Sequence, residues 1–192
     1  MSEIAERYAR LSSSFAAKVA AVPPDRWASP SPCAGWSAHD VVRHVVESQG
    51  MFLGFVGASS GGGPGVDEDP AGAFDAVRAT VQSHLDDPAR ATAGFEGYAG
   101  PTTFEASVDR FLNFDLVVHG WDLARAAGLD EHVDAADIAF VRAGVASLGD
   151  MLYSSGACAP ALDPPPGADD RTRLLAALGR KAWADVEGGG AG

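Results

Sequence analysis

Apolar residues recur at alternating spacings of three and four positions along most of the chain, a pattern typical of helices that bury one face. The first stripe is formed by Ile4, Tyr8, Leu11, Phe15, Val19 and Val22. It ends at Pro23 and Pro24, because proline cannot continue a helix. Further helices are expected from Ser37 to about Gly57, from Asp69 onward, from Thr102 to about Ala127, from Asp134 to about Leu152, and within 169–186. The chain is therefore predicted to be all-α.

Local signals mark where some of these helices begin and end. Ser37 with Asp40, and Thr102 with Glu105, have the approximate spacing of capping boxes, in which each side chain bonds a backbone N–H of the other residue. Gly128 is expected to end the fourth helix, since glycine readily takes the left-handed conformation found at helix ends. The Gly-rich stretch before Thr102 is expected to be irregular, with short extended pieces.

Four main helices joined by long loops predict a four-helix bundle with additional C-terminal helices. The long connections before helices two, three and four allow bundle neighbours that are not consecutive in sequence. The bundle is expected over residues 1–153. A C-terminal loop and helix packed on the bundle are expected over 154–186, and a disordered tail over 187–192.

Composition narrows the function. The 192 residues carry a formal net charge of −12, with a pI near 4.6, which disfavours binding to nucleic acid or to an anionic membrane. The two cysteines form no disulfide framework or zinc-ribbon spacing. The charged amino terminus lacks the apolar core of a signal peptide, and no apolar run approaches a membrane span, so the cytoplasm is the expected location.

Polar residues interrupt the apolar stripe of the fourth helix. Continued by threes and fours, that stripe passes through Asp115, His119 and Asp122. Residues four apart lie one above the other on a helix, so the side chains of Asp115 and His119 should converge. On the second helix His44 falls within the apolar face defined by Val41, Val45, Ser48 and Phe52.

A buried ionised carboxylate is costly unless it meets a cation, binds a metal or becomes protonated. Two imidazoles and one carboxylate from two helices therefore form a candidate divalent-metal site, with His44, Asp115 and His119 as ligands. Three protein ligands leave a position for water or substrate, as in catalytic sites. The competing interpretation is a hydrogen-bonded polar core, in which His44 bonds Asp115 or Asp40, or a rotated helix that turns His119 outward.

Asp122 is the candidate catalytic residue. It is expected either to orient a ligand histidine through the second ring nitrogen or to make a polar contact with a neighbouring loop.

Cys33 precedes the amino terminus of the second helix, where the helix dipole favours a thiolate. A buried structural role is nonetheless favoured for Cys33, because a small residue suits a tight corner between loop and helix.

Two segments together resemble a known family. "PSPCAGWSAHDVVRHVVES" followed by "FDLVVHGWDLARAAG" is similar to the metal-binding pattern of the DinB-like superfamily, and more narrowly to the mycothiol-dependent maleylpyruvate isomerase type found in actinobacteria. The ending "DDRTRLLAALGRKAW" resembles an uncharacterised branch of that group. The resemblance implies a DinB-like four-helix bundle that holds a divalent metal through a His on helix two and a Glu and His four apart on a later helix.

Carried over, these ligands fall on His44, Asp115 and His119, with Asp115 one methylene shorter than the family's Glu. The chemistry of these ligands favours zinc, with nickel or iron as alternatives, and the resemblance implies mycothiol as the thiol cosubstrate. It therefore favours a metal-dependent, mycothiol-dependent transferase or isomerase acting on a small electrophile. Members of the isomerase type have a substrate-contacting Arg in a separate C-terminal domain. Neither Arg173 nor Arg180 can be assigned that role. The lack of an assigned Arg disfavours maleylpyruvate isomerisation as the reaction.

Two other functions stay open at this point: a metal- or small-ligand-binding bundle without turnover, and a helical interaction module with a structural polar core. The fifth helix and the Pro-rich tail are expected either to cover the bundle or to form a homodimer contact.

Overall fold

The computed structural model describes residues 2–97, 100–154 and 158–183. The chain divides into two compact units, the first ending at His132 and the second beginning at Val133. Helices dominate both units, and the described residues contain one small two-stranded sheet. The prediction of an all-α fold is confirmed.

The first unit opens with three long helices, α1 at Glu3–Ala21, α2 at Ala38–Phe55 and α3 at Pro70–Asp86. A single helical turn, α4, follows at Pro88–Ala91. An antiparallel hairpin then pairs β1 at Gly94–Gly97 with β2 at Gly100–Thr103. The extended pieces expected in this Gly-rich stretch are thus present.

The fourth long helix changes its hydrogen-bond register once. It begins with a turn of α-helix, α5, at Phe104–Ser107, continues as a π-helical turn at Val108–Leu112, and becomes regular again in α6 at Asn113–Ala127. Gly128, with φ of 71°, ends it as predicted. Turns of π-helix are rare and occur frequently at functional sites.

These helices form a bundle in which consecutive helices are not always neighbours. Both α1 and α2 pack against α3 on one side and against α6 on the other, so α1 and α2 lie on opposite corners. The core contains large side chains with almost no exposed surface, among them Phe15, Phe74, Phe104 and Trp121. Burying each such side chain contributes about 1.5–3 kcal/mol to folding.

One of the two predicted capping boxes is present. The Ser37 hydroxyl accepts from the Asp40 backbone N–H, and the Asp40 carboxylate accepts from that of Ser37. The predicted box at Thr102 and Glu105 is wrong by one residue. Strand β2 keeps Thr102 extended, and Thr103 caps the helix by accepting from the Ala106 backbone N–H.

The second unit contains α7 at Ala135–Leu148, α8 at Met151–Ser154 and α9 at Asp170–Ala177. Within it α7 packs against α9, and the Tyr153 hydroxyl donates to the Ala177 carbonyl at 2.8 Å. The single helix expected up to Leu152 is interrupted at Gly149, whose φ of 52° only glycine adopts readily.

The predicted boundary at residue 153 stays a prediction. The tail over 187–192 and the last residues of the predicted final helix lie outside the described residues. Among the residues that are described, no helix combines the length and apolar character that crossing a bilayer requires.

Candidate metal centre

His44 is positioned by the way α2 begins. The Ser37–Asp40 capping box fixes the first turn, and Val41 and Val45 then pack into the bundle core with almost no exposed surface. His44 lies beside them on the edge of this face, and its side chain keeps 35% of its surface exposed. The imidazole is therefore held by a buried helix and can still be reached by solvent or a small ligand.

Asp115 and His119 lie one turn apart on α6, which packs against α2. The Asp115 side chain is 27% exposed and that of His119 is 8% exposed. His44 Nε2 lies 3.7 Å from Asp115 Oδ2, and the two imidazole ring centres are 4.8 Å apart. The fold thus brings the three predicted ligand residues together, and His119 does not face outward.

The three side chains fit a divalent cation. One ligand atom from each lies within 4.8 Å of the other two. Ligand atoms around a tetrahedral zinc ion are separated by about 3.3 Å, given bond lengths near 2.0–2.1 Å. The 3.7 Å separation of His44 and Asp115 is close to that spacing, and two imidazoles with one carboxylate suit zinc, nickel or iron. The assignment of these residues as ligands stays a prediction.

Asp122 makes both of the contacts considered for it. Its carboxylate is fully buried, and one oxygen, Oδ2, lies 2.9 Å from His119 Nδ1. The same oxygen accepts from the Cys33 thiol in the loop before α2, at 3.3 Å. A carboxylate that accepts a hydrogen bond from Nδ1–H favours the imidazole tautomer in which Nε2 has the free lone pair.

Cys33 is half-buried, and its contact with Asp122 gives it a polar partner that the sequence did not reveal. Ligand atoms of Cys33, His119 and Asp122 also lie within 4.8 Å of one another. This second set shares His119 with the first. Because Asp122 already engages His119 Nδ1, the second set is better described as the support of that histidine than as a separate metal site.

Trp36 forms a wall of the site. The loop that carries it is held by backbone hydrogen bonds from Ser31 N–H to Trp36 O and from Trp36 N–H to Cys33 O. The Trp36 ring centre lies 4.9 Å from that of His44 and 6.0 Å from that of His119. An aromatic wall excludes water from one side of the imidazoles and limits their rotation. This tryptophan was not singled out from the sequence as part of the site.

Ser48 is a further residue beside the site that was not singled out for it. Its hydroxyl lies 3.4 Å from His44 Nε2, one turn along α2. The spacing of four residues between His44 and Ser48 is the signal that could have identified this contact.

Comparison with known proteins covers the part of the chain that contains this site. A family model described as the mycothiol maleylpyruvate isomerase N-terminal domain matches residues 8–124. Two proteins of Mycobacterium tuberculosis, Uncharacterized protein Rv0738 of strain H37Rv and Uncharacterized protein MT0763 of strain CDC 1551, are each 28% identical over 125 residues. The alignments cover 65% of this chain and 68% of each relative. No solved structure matches.

The family match spans more than half of the chain and includes both helices that carry the candidate ligands. It supports a mycothiol-related, metal-binding domain with the DinB-like bundle described above. The chain belongs to the family of the mycothiol maleylpyruvate isomerase N-terminal domain.

Proposed function

We propose that His44, Asp115 and His119 hold a divalent metal, most favourably zinc, at which a low-molecular-weight thiol attacks a small electrophile. The thiol would be mycothiol, in keeping with the family, and the protein would be a transferase or isomerase. The observation that carries the proposal is the convergence of these three side chains within 4.8 Å, with two of them partly exposed.

Each residue has a distinct part in this chemistry. A divalent metal bound at such a site supplies the positive charge that keeps a thiol deprotonated at neutral pH. His44 and His119 offer neutral nitrogens, and Asp115 contributes the one negative charge of the ligand set. Asp122 holds the proton on His119 Nδ1, which fixes both the tautomer and the direction of the ring.

The reaction class follows from a nucleophilic thiol. Addition to a carbon–carbon double bond forms a carbon–sulfur bond, and the proton lost by the thiol is returned to the neighbouring carbon. Elimination after rotation about the former double bond regenerates the thiol and gives an isomer. Displacement of a leaving group by the thiol instead gives a transferase.

Two measurements on the full chain test the proposal. Metal content of the purified protein, determined by inductively coupled plasma mass spectrometry, should be stoichiometric in the wild type and lost in His44→Ala and His119→Ala. His132→Ala is the matched control, because His132 is exposed and lies outside the site, and it should retain the metal. Circular dichroism checks that each variant keeps its helices.

The second measurement follows loss of mycothiol in the presence of small electrophiles, with the same variants. Turnover that depends on His44 and His119 supports the enzyme. Metal uptake without any thiol reaction would instead support a metal-binding protein without turnover. Stoichiometric metal in both alanine variants would overturn the ligand assignment.

A further inference from the structure

A pocket with an unusual lining lies along the same α2–α6 side of the bundle. Its walls include four aromatic rings, from the end of α2, the hairpin and the π turn, together with one cation: Phe52, Phe55, Phe95, Phe111 and Arg110. The space that the centres of water molecules can reach is about 70 Å³. A single water needs roughly 10–15 Å³ by that measure, so the pocket has room for a small organic molecule.

The rings form a connected set. Phe52 and Phe111 lie with ring centres 5.6 Å apart, which joins α2 to the π turn. Phe55 stacks on Phe95 of the hairpin at 5.4 Å, with nearly parallel rings. Ring faces held in this way offer a flat apolar surface, which is typical of sites for small molecules.

Arg110 is unusual in a chain with 26 acidic and 14 basic residues. Its guanidinium carbon lies 5.4 Å from the Phe111 ring centre. Its Nε is buried and has no hydrogen-bond partner, and no carboxylate pairs with it among residues 2–97, 100–154 and 158–183. Arg7, Arg43 and Arg125 each have a carboxylate partner.

Arg110 lines the pocket without a carboxylate partner among the described residues, so a bound anion would supply the missing counter-charge. The planar guanidinium matches a carboxylate through two parallel hydrogen bonds. The Thr102 and Ser107 hydroxyls, 3.3 Å apart, lie in the same wall and can accept or donate one further hydrogen bond. We infer that the pocket binds a small carboxylate whose flat apolar body lies on the phenylalanine rings.

The place of the pocket connects it to the metal centre. On α2, His44, Ser48 and Phe52 follow one another at spacings of four residues and therefore share a face. Phe111 precedes Asp115 by four residues on the neighbouring helix, about 6 Å along its axis. The carboxylate in the pocket is therefore the substrate's anchoring end, and the electrophilic carbon lies toward His44. This last assignment rests on the proposed function; the binding of carboxylates does not.

Binding is tested on the full chain with a matched pair of probes, phenylacetate and 2-phenylethanol, by NMR titration. The wild type should bind phenylacetate more tightly than the alcohol. Arg110→Gln should raise the Kd for phenylacetate by about tenfold or more and leave that for 2-phenylethanol within about twofold. Arg90→Gln, at an exposed arginine of α4, is the matched control and should change neither.

Two further variants separate this inference from the metal chemistry. Phe111→Leu should weaken both probes, because it removes the ring surface and keeps the charge. His44→Ala should leave both probes bound, since it alters the metal centre alone. Equal affinities for phenylacetate in the wild type and Arg110→Gln would overturn the inference, even if metal-dependent thiol transfer is found.

Discussion

Asp122 and His119 form a buried pair in which the carboxylate Oδ2 lies 2.9 Å from the imidazole Nδ1. The pair lies within a single helix, three residues apart, so α6 alone brings the two side chains within reach of each other. One candidate ligand of the metal centre is thus supported from its own helix. His44 must be brought by tertiary packing.

Replacing Asp122 with Asn tests this arrangement. The amide keeps the shape of the carboxylate and loses its charge, so it holds the His119 tautomer less firmly. We expect the affinity for zinc to fall by about 10–100-fold, the usual effect of losing such a support. Competition with a chelating dye measures it. Cys33→Ser is the control: it keeps a hydrogen-bond donor to the Asp122 carboxylate, so its affinity for zinc should stay close to that of the wild type. An unchanged affinity for zinc in Asp122→Asn would show that the pair does not support a ligand.

Asp115 allows a test of ligand length and charge. Asp115→Asn removes the negative charge, and metal content should fall to a small fraction of the wild type. Asp115→Glu keeps the charge and has the length that the family resemblance implies, so metal should still bind. Both variants are measured by the same mass-spectrometric assay. Equal metal content in Asp115→Asn and the wild type would remove Asp115 from the ligand set.

The capping box of α2 predicts an acid-sensitive component of stability. Hydrogen bonds from Ser37 hold the pKa of the Asp40 carboxyl below its usual value. Because the folded pKa is lower than the unfolded one, the box stabilises the protein above the unfolded pKa and this contribution disappears as the pH falls through the folded pKa. Urea unfolding between pH 3 and pH 6 should show a smaller loss of stability in Asp40→Asn than in the wild type. Identical pH profiles would contradict this prediction.

The same box can be tested at neutral pH. Ser37→Ala leaves the Asp40 backbone N–H without its side-chain partner, and it should lower the free energy of unfolding by about 1 kcal/mol. Ser29→Ala is the control, because it removes a loop hydroxyl that caps no helix and keeps the backbone carbonyl that accepts from Ala38 N–H. A loss of equal size in both variants would show that capping is not the cause.

A buried polar contact between α1 and α2 predicts a larger effect. The Tyr8 hydroxyl donates to Gln49 Oε1 in the core, and burial raises the pKa of Tyr8 well above its usual value, so it stays a donor. Tyr8→Phe leaves the Gln49 oxygen unpaired and should cost about 1–3 kcal/mol by urea unfolding. The double variant Tyr8→Phe with Gln49→Leu should recover part of that loss. No recovery would indicate that packing, and not the orphaned oxygen, causes the loss.

The sequence predicted the parts of this fold that depend on local spacing. The periodicity of α1, the Ser37–Asp40 box and the stop at Gly128 are all set by residues within a few positions of one another. The convergence of Asp115 with His119 is of the same kind, because four residues make about one helical turn. That His44 joins them follows from how α2 packs on α6, which spacing alone does not determine.

Features that depend on distant residues were not predicted. The sequence pattern placed Tyr8 on the apolar face of α1, and no residue close to it in sequence indicated that Gln49 is its hydrogen-bond partner. Arg110 was not singled out, because the aromatic rings around it come from the end of α2 and from the hairpin. The predicted capping box at Thr102 was wrong because Thr102 pairs with Phe95 in the hairpin, so β2 extends one residue further than the local sequence suggests.

The π turn at Val108–Leu112 holds one residue more than regular α-helical geometry requires, and it absorbs that residue without turning α6 away from α2. A relative with one residue fewer here can form an unbroken helix and keep both candidate metal ligands of α6 in place. It would lose the position from which Arg110 lines the pocket. Length variation at this single turn would therefore alter the lining of the pocket while the candidate metal centre keeps its geometry.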